Sequence, residues 1–231
     1  MLFNLDQLMN KDFIILLLLR IPIVLFSLSF HEAAHAFVAH KMGDDTAKNL
    51  GRLTLNPLKH IDPIGTLCLI LFGIGWAKPV PVMTRNFEHP KRGMILTAAA
   101  GPLSNVILSV IGVILYVPYV LFIGSSTPLT SAIGLFLYIF HYLNLVYAVF
   151  NLIPVPPLDG SRLFLGFLPD SAYFGIMRYE QFIKIGFLVL IMVFHNVLNF
   201  SPISIVCEFI SGIMINVTSV PFALISSLFA A

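Results

Sequence analysis

FIILLLLRIPIVLFSLSFHEAAHAFVAH, residues 13–40, is the stretch whose reading decides the fold. It is an apolar run long enough to cross a bilayer as a helix, and it ends in two histidines four residues apart with a glutamate between them. On a helix, residues i and i+4 lie on one face, so the imidazoles of His31 and His35 converge on a single zinc ion. Glu32 sits beside the first of them, within reach of a zinc-bound water that the metal makes acidic and a carboxylate can deprotonate. Two histidines and a carboxylate within five mostly apolar residues must be paired or coordinated to offset their desolvation. The combination points to metal chemistry inside a membrane.

Composition leads to the membrane independently. Of 231 residues, 58% are hydrophobic and 10% charged, and the mean hydropathy is +0.94. That excludes an ordinary soluble globular domain. No stretch is polar enough for a separate soluble unit, so a single membrane-embedded domain over 1–231 is expected, with a core at about 13–165 and C-terminal helices at about 180–231. A net charge of +2 gives no argument for nucleic acid, and the cations sit in loops between apolar runs, where membrane orientation accounts for them. Cys68 and Cys207 both fall in apolar context, so neither a disulfide framework nor a four-cysteine zinc site is available. A cleavable signal peptide is not expected: the first apolar run is too long for one, follows acidic Asp6 and Asp12, and ends in the histidine motif instead of a cleavage site.

Apolar segments lie at about 13–40, 63–76, 94–123, 131–153, 182–200 and 203–228. They predict an all-α membrane fold, a polytopic helical bundle of about five to six membrane segments. The second segment is short and carries Gly65, Gly73 and Gly75, which suits a re-entrant or partly extended element buried against other helices. Lys41, Lys48, Arg52 and Lys59 precede it and Lys78, Arg85, Lys91 and Arg92 follow it, so both of its flanks face the cytoplasm. The loops near 124–130 and 196–206 carry no charge, while 158–184 carries Arg162, Arg178 and Lys184. This alternation predicts an outside N-terminus and four further crossings. Asn216, Pro221 and several serines leave an interfacial helix open for 203–228. His31 and His35 precede Lys41 by six to ten residues, roughly 9–15 Å of helix, which puts them toward the cytoplasmic side.

Two histidines leave a catalytic zinc one protein ligand short, and a carboxylate is the usual complement. In NLIPVPPLDG, residues 151–160, three prolines break a helical run and permit a turn that aims Asp159 back at the metal. Asp44 and Asp45 follow Gly43 in a turn pattern and Asp62 precedes Pro63, so turn roles account for them. For Asp159 the competing role is a helix N-cap. His141 lies eighteen residues before Asp159, roughly 27 Å along a straight helix, and reads as an interhelical hydrogen-bonding group near the outer side, with His195 in the same zone. His40, His60 and His89 stand in basic loops and read as solvated or structural.

HEAAH at 31–35, GRLTLNP at 51–57, WAKPVPV at 76–82, AGPLSN at 100–105 and NLIPVPPLDG at 151–160 together resemble the site-2 proteases, intramembrane zinc metalloproteases, in the order of that family's motifs. The resemblance covers roughly the first 165 residues, without an insertion sized for the PDZ or nucleotide-sensing domains of some members. It implies one zinc per chain held by His31, His35 and Asp159, Glu32 as general base, and hydrolysis of peptide bonds in membrane-embedded substrates. Asn151 matches an asparagine that in the family helps hold the substrate carbonyl or its oxyanion, as a donor amide does for developing negative charge. Asn105, at comparable depth, is a candidate to assist, with an interhelical hydrogen bond as the alternative. The stretches 52–55 and 79–82 alternate like short strands, forming a hairpin-like element near the active site. An edge strand there would pair with an unwound substrate helix; a small structural sheet is the other reading. The implied partners are a transmembrane protein substrate and the bilayer. The implied location is a prokaryotic inner membrane, with the site toward the cytoplasm. Two other classes share these residues: a non-proteolytic zinc-binding transporter or scaffold, and a zinc hydrolase of lipids or small amides. No internal repeat of a transporter kind is seen.

Overall fold

A computed structural model of the chain describes residues 11–63, 65, 77–196 and 201–229, and within them it is helix and loop without strands. The helices are α1 (Lys11–Lys41), α2 (Thr46–Asn49), α3 (Pro90–Phe122), α4 (Pro128–Asn151), α5 (Asp159–Leu165), α6 (Asp170–Met177), α7 (Glu180–Asn196) and α8 (Pro202–Phe229). Short 3-10 turns lie at Pro57–Lys59 and Thr84–Asn86. Four helices, α1, α3, α4 and α8, are long and apolar enough to cross a membrane. α7, the counterpart of the expected segment at 182–200, has 17 helical residues, and the end of that segment, 197–200, lies outside the described residues. The expected re-entrant segment at 63–76 also lies outside them, apart from Pro63 and Gly65.

α3 is the centre of the bundle and packs against α1, α4, α5 and α8. Its sequence explains why. Hydrocarbon offers no hydrophobic force to bring helices together, so close approach over small residues and interhelical hydrogen bonds must do it. α3 buries Ala98, Gly101, Ser104, Ser109 and Gly112 along its length. A Cβ on Gly112 would fall 2.8 Å from the Cα of His141, so α3 and α4 cross there backbone against backbone. His141 itself is fully buried. Its Nδ1 lies 2.9 Å from the Ser109 hydroxyl and 3.0 Å from the Ser109 carbonyl, and its Nε2 lies 2.9 Å from the Ser211 hydroxyl. One histidine thus ties α3, α4 and α8 together, each bond contributing on the order of 1 kcal/mol. Outward-facing Ile107, Ile111, Ile114 and Leu115 are exposed, as a lipid-facing surface requires.

Between α1 and α3 the described residues fold into a roof tied to α1, and the strands expected at 52–55 and 79–82 form no ladder in it. Residues 53–54 bend, 78–83 have no regular secondary structure, and the one isolated bridge among the described residues joins Ile61 and Ala77. Pro79 and Pro81 have no N–H to give a ladder. Three neighbouring donors are taken elsewhere: Lys78 N–H by the His60 carbonyl at 2.8 Å, Val80 N–H by Glu32 at 2.9 Å and Met83 N–H by Asp44 at 2.7 Å. The Arg52 guanidinium donates to the Lys78 carbonyl, and His60, buried, donates from Nε2 to the Thr54 carbonyl.

Asp44 is more than the turn residue its sequence context indicates. It is fully buried and accepts from Thr46 N–H, the Thr46 hydroxyl, Met83 N–H and the Asn86 amide. Gly43, at φ +104°, makes the left-handed step that turns α1 toward this anchor. Burial pushes the Asp44 carboxyl upward, but these four donors outweigh it and hold its pKa below the ordinary carboxylate value. Asp44→Ala is expected to destabilise the roof by about 3 kcal/mol, since buried donors lose a charged acceptor. The sign of the pH effect follows from the depressed value. The stabilisation is complete above the unfolded pKa of about 4 and is lost as pH falls through the lower folded value. The hydrogen-exchange protection of the Met83 amide relative to its intrinsic rate, falling in acid in the native protein and already low in Asp44→Ala, checks both.

Candidate metal centre

α1 brings His31 and His35 to one face, their rings edge-on at 83° with centroids 4.6 Å apart. The third group arrives from the end of α4. Prolines 154, 156 and 157 cannot continue that helix, and the Pro156–Pro157 peptide is cis. The chain then doubles back so tightly that a Cβ on Gly160 would lie 2.3 Å from the Leu152 carbonyl oxygen. Only glycine fits that approach. Leu158, not Asp159, occupies the N-cap position of α5, and no side-chain bond caps the helix. Asp159 is the first helical residue, and its Oδ2 lies 3.0 Å from His31 Nε2 and 3.3 Å from His35 Nε2. The two Nε2 atoms are 3.0 Å apart.

The far side of each ring shows what these atoms are. His35 Nδ1 is 2.7 Å from the Thr97 carbonyl, an obligate acceptor, so Nδ1 bears the proton. His31 Nδ1 is 2.6 Å from Asn105 Oδ1 and donates likewise. In the neutral rings both Nε2 atoms are therefore lone pairs, and with Asp159 Oδ2 they place three acceptors face to face with no proton among them. That is unfavourable unless a cation sits between them. A tetrahedral zinc with bonds of about 2.0–2.1 Å spaces its ligand atoms roughly 3.3–3.4 Å apart, close to the separations observed. The cradle is closed by Gly101, whose Cβ would lie 2.3 Å from His35 Nε2 and 2.5 Å from His31 Nε2. The donor set and the space fit a zinc ion.

Glu32 is buried, and its Oε2 accepts from Val80 N–H, which fixes the carboxylate under the roof. Asn105 is fully buried, and the structure gives it the interhelical bonds: Oδ1 receives His31 Nδ1–H, and Nδ2 donates to Asn144 Oδ1 at 3.0 Å. Asn151, the last residue of α4, donates to the Tyr147 carbonyl of its own helix at 3.0 Å, and among the described residues none of its hydrogen bonds reaches the cluster. His40 pairs with Asp45, and Asp62 caps the Gly65 N–H. Sequence reasoning missed Thr97, Val80 and Asn144. The first two act through backbone atoms, which leave no side-chain signature. Asn144 did leave one, a polar amide in an apolar helix.

The model of peptidase family M50 matches residues 119–194. The chain is 44% identical over 168 residues to a Bacillus subtilis protein named "Putative zinc metalloprotease YwhC", covering 72% of this chain and 77% of that one. It is 30% identical over 173 residues to Mycobacterium tuberculosis "Putative zinc metalloprotease Rip2", covering 73% and 64% respectively. It is also 30% identical over 159 residues to Methanocaldococcus jannaschii "Putative zinc metalloprotease MJ0611", covering 66% and 75%. No solved structure matches the chain significantly. Identity of this level along three quarters of the Bacillus protein, together with the match to the family model, means that the chain belongs to peptidase family M50, the site-2 protease family.

Proposed function

We propose that the protein is a zinc metalloendopeptidase that hydrolyses peptide bonds in or near transmembrane segments of membrane-protein substrates. The observation that carries this reading is the meeting of His31, His35 and Asp159 acceptor atoms within 4.8 Å of one another, among helices apolar enough to cross a membrane. These three residues would hold one zinc per chain. When bound, zinc supplies Lewis acidity toward a carbonyl and makes water acidic enough to serve as nucleophile near neutral pH.

The chain's own groups do the rest. Glu32 takes the proton of the attacking water and returns it to the leaving amine; Val80 N–H holds Oε2, leaving Oε1 for that transfer. Asn151 turns its amide from the Tyr147 carbonyl to the substrate carbonyl as negative charge develops. Asn105 acts from behind, holding the His31 ring. A transmembrane substrate must unwind to expose its peptide bond, and the roof at 77–83, tethered to the base at Val80, is where we lay it, with 52–55 alongside. Counting α7 beside the four long helices gives five membrane elements, and a re-entrant segment at 63–76 would make six. The basic loops put the site on the cytoplasmic side, and the bacterial and archaeal relatives favour a prokaryotic cell membrane.

Removing the metal tests the reading. Purified protein with one equivalent of zinc is expected to cleave a peptide derived from a transmembrane helix in detergent, to fall to background after chelation, and to recover on adding zinc back. Full zinc occupancy without cleavage of any such peptide would move the activity to lipids or small amides, or remove it altogether.

A further inference from the structure

Behind the cluster runs a chain of amides whose polarity is set at one end. Asn144 Nδ2 lies 2.8 Å from the Phe140 carbonyl, four residues back on α4. A carbonyl only accepts, so the amide nitrogen must point at it and Oδ1 must point away. Oδ1 in turn faces Asn105 Nδ2 at 3.0 Å, which forces Asn105 Oδ1 toward His31 Nδ1 at 2.6 Å. Asn105 and Asn144 are each completely buried, so neither amide is open to bulk solvent and each is held by the partners named. The order of donors therefore runs one way: His31 Nδ1–H to Asn105, Asn105 to Asn144, Asn144 to the α4 backbone.

We infer that Asn144 is a positioning residue for the metal: through Asn105 it fixes the orientation and tautomer of His31, so that the Nε2 lone pair faces His35 and Asp159. The inference rests on the reading of His31, His35 and Asp159 as a metal site. His35 needs no such relay, because its Nδ1 meets the Thr97 carbonyl directly at 2.7 Å. His31 faces an asparagine, which reversed would offer it an NH2 and demand the opposite tautomer. Nδ1 would then accept, Nε2 would carry the proton, and the ligand atom would be lost. Asn144 removes that alternative. The relay also joins α1, α3 and α4 in one line of bonds, so the site is set by the register of three helices.

The test is metal affinity, measured by chelator competition with zinc and with cobalt, whose absorption reports the ligand set, on the full chain in detergent. Asn144→Leu is expected to weaken binding about 10–100-fold, the usual consequence of losing a partner behind a metal-bound histidine. Asn144→Asp is expected to stay close to wild type, because a buried carboxyl keeps its proton, donates it to the Phe140 carbonyl and still accepts from Asn105. Asn105→Leu should lose as much as Asn144→Leu, and the double variant no more than Asn105→Leu alone. If leucine prevents folding, Asn144→Ala carries the same comparison. A purely structural role would lower thermal stability, leave affinity unchanged and show no rescue by aspartate; that pattern, or independent effects that multiply in the double variant, would overturn the relay while wild-type metal binding stands. A wild type that binds neither metal would overturn the metal reading and the relay with it.

Discussion

Glu32→Gln is expected to lower peptide cleavage by about 10²–10⁴-fold while the metal content stays at the wild-type level. The reason lies in what glutamine keeps and what it loses. Its amide oxygen still accepts from Val80 N–H, so the roof segment remains tethered, and its size is that of glutamate. His31, His35 and Asp159 are untouched, so the acceptor cluster persists. What disappears is the ability to take a proton and hand it on. Cleavage of a model transmembrane substrate, run beside zinc analysis of the same preparations, separates the two. Wild-type cleavage by Glu32→Gln would remove Glu32 from the proton transfer, whereas loss of zinc together with activity would show it to be part of the site's architecture instead.

The second large effect is expected at a residue with no chemistry of its own. By intrinsic propensity Gly101→Ala should stabilise helix α3 by about 1 kcal/mol. The added methyl carbon, however, would lie 2.3 Å from His35 Nε2 and 2.5 Å from His31 Nε2, the atoms proposed to hold the metal. Neither ring can simply retreat, because each is held from behind, by the Thr97 carbonyl and by Asn105. The clash therefore outweighs the gain in helix propensity, and the variant is expected to melt below wild type and to bind zinc at least about 100-fold more weakly, since ligand atoms displaced by an ångström no longer meet at one point. Chelator competition and a melting curve check it. Wild-type affinity would mean that the helix can shift without disturbing the cradle.

These two expectations show how unevenly the site could be read in advance. HEAAH is legible because a helix has a fixed period: spacing alone puts His31 and His35 on one face, whatever surrounds them. Asp159 was found because three prolines mark a break and two histidines need a third ligand. The edge strand expected at 79–82 forms no ladder among the described residues, since alternation does not record which partners the N–H groups find: Val80 N–H went to Glu32, and those of Lys78 and Met83 on either side to His60 and Asp44. Asp44 looked like a turn residue because the donors that converge on it, Met83 and Asn86, come from some forty residues away.

By itself the sequence determined an apolar, helical, membrane-type chain and the family to which it belongs, and it nominated the residues proposed to hold zinc and move a proton. Period, hydropathy and residue chemistry are local properties, and all of these follow from them. Only the tertiary structure decided which groups stand behind those residues: a carbonyl at Thr97, an N–H at Val80, the missing side chain at Gly101, and the line of amides from Asn105 to Asn144. Backbone atoms are the same at every position and glycine is defined by what it lacks, so their roles exist only where helices distant in sequence are packed to within a hydrogen bond of one another.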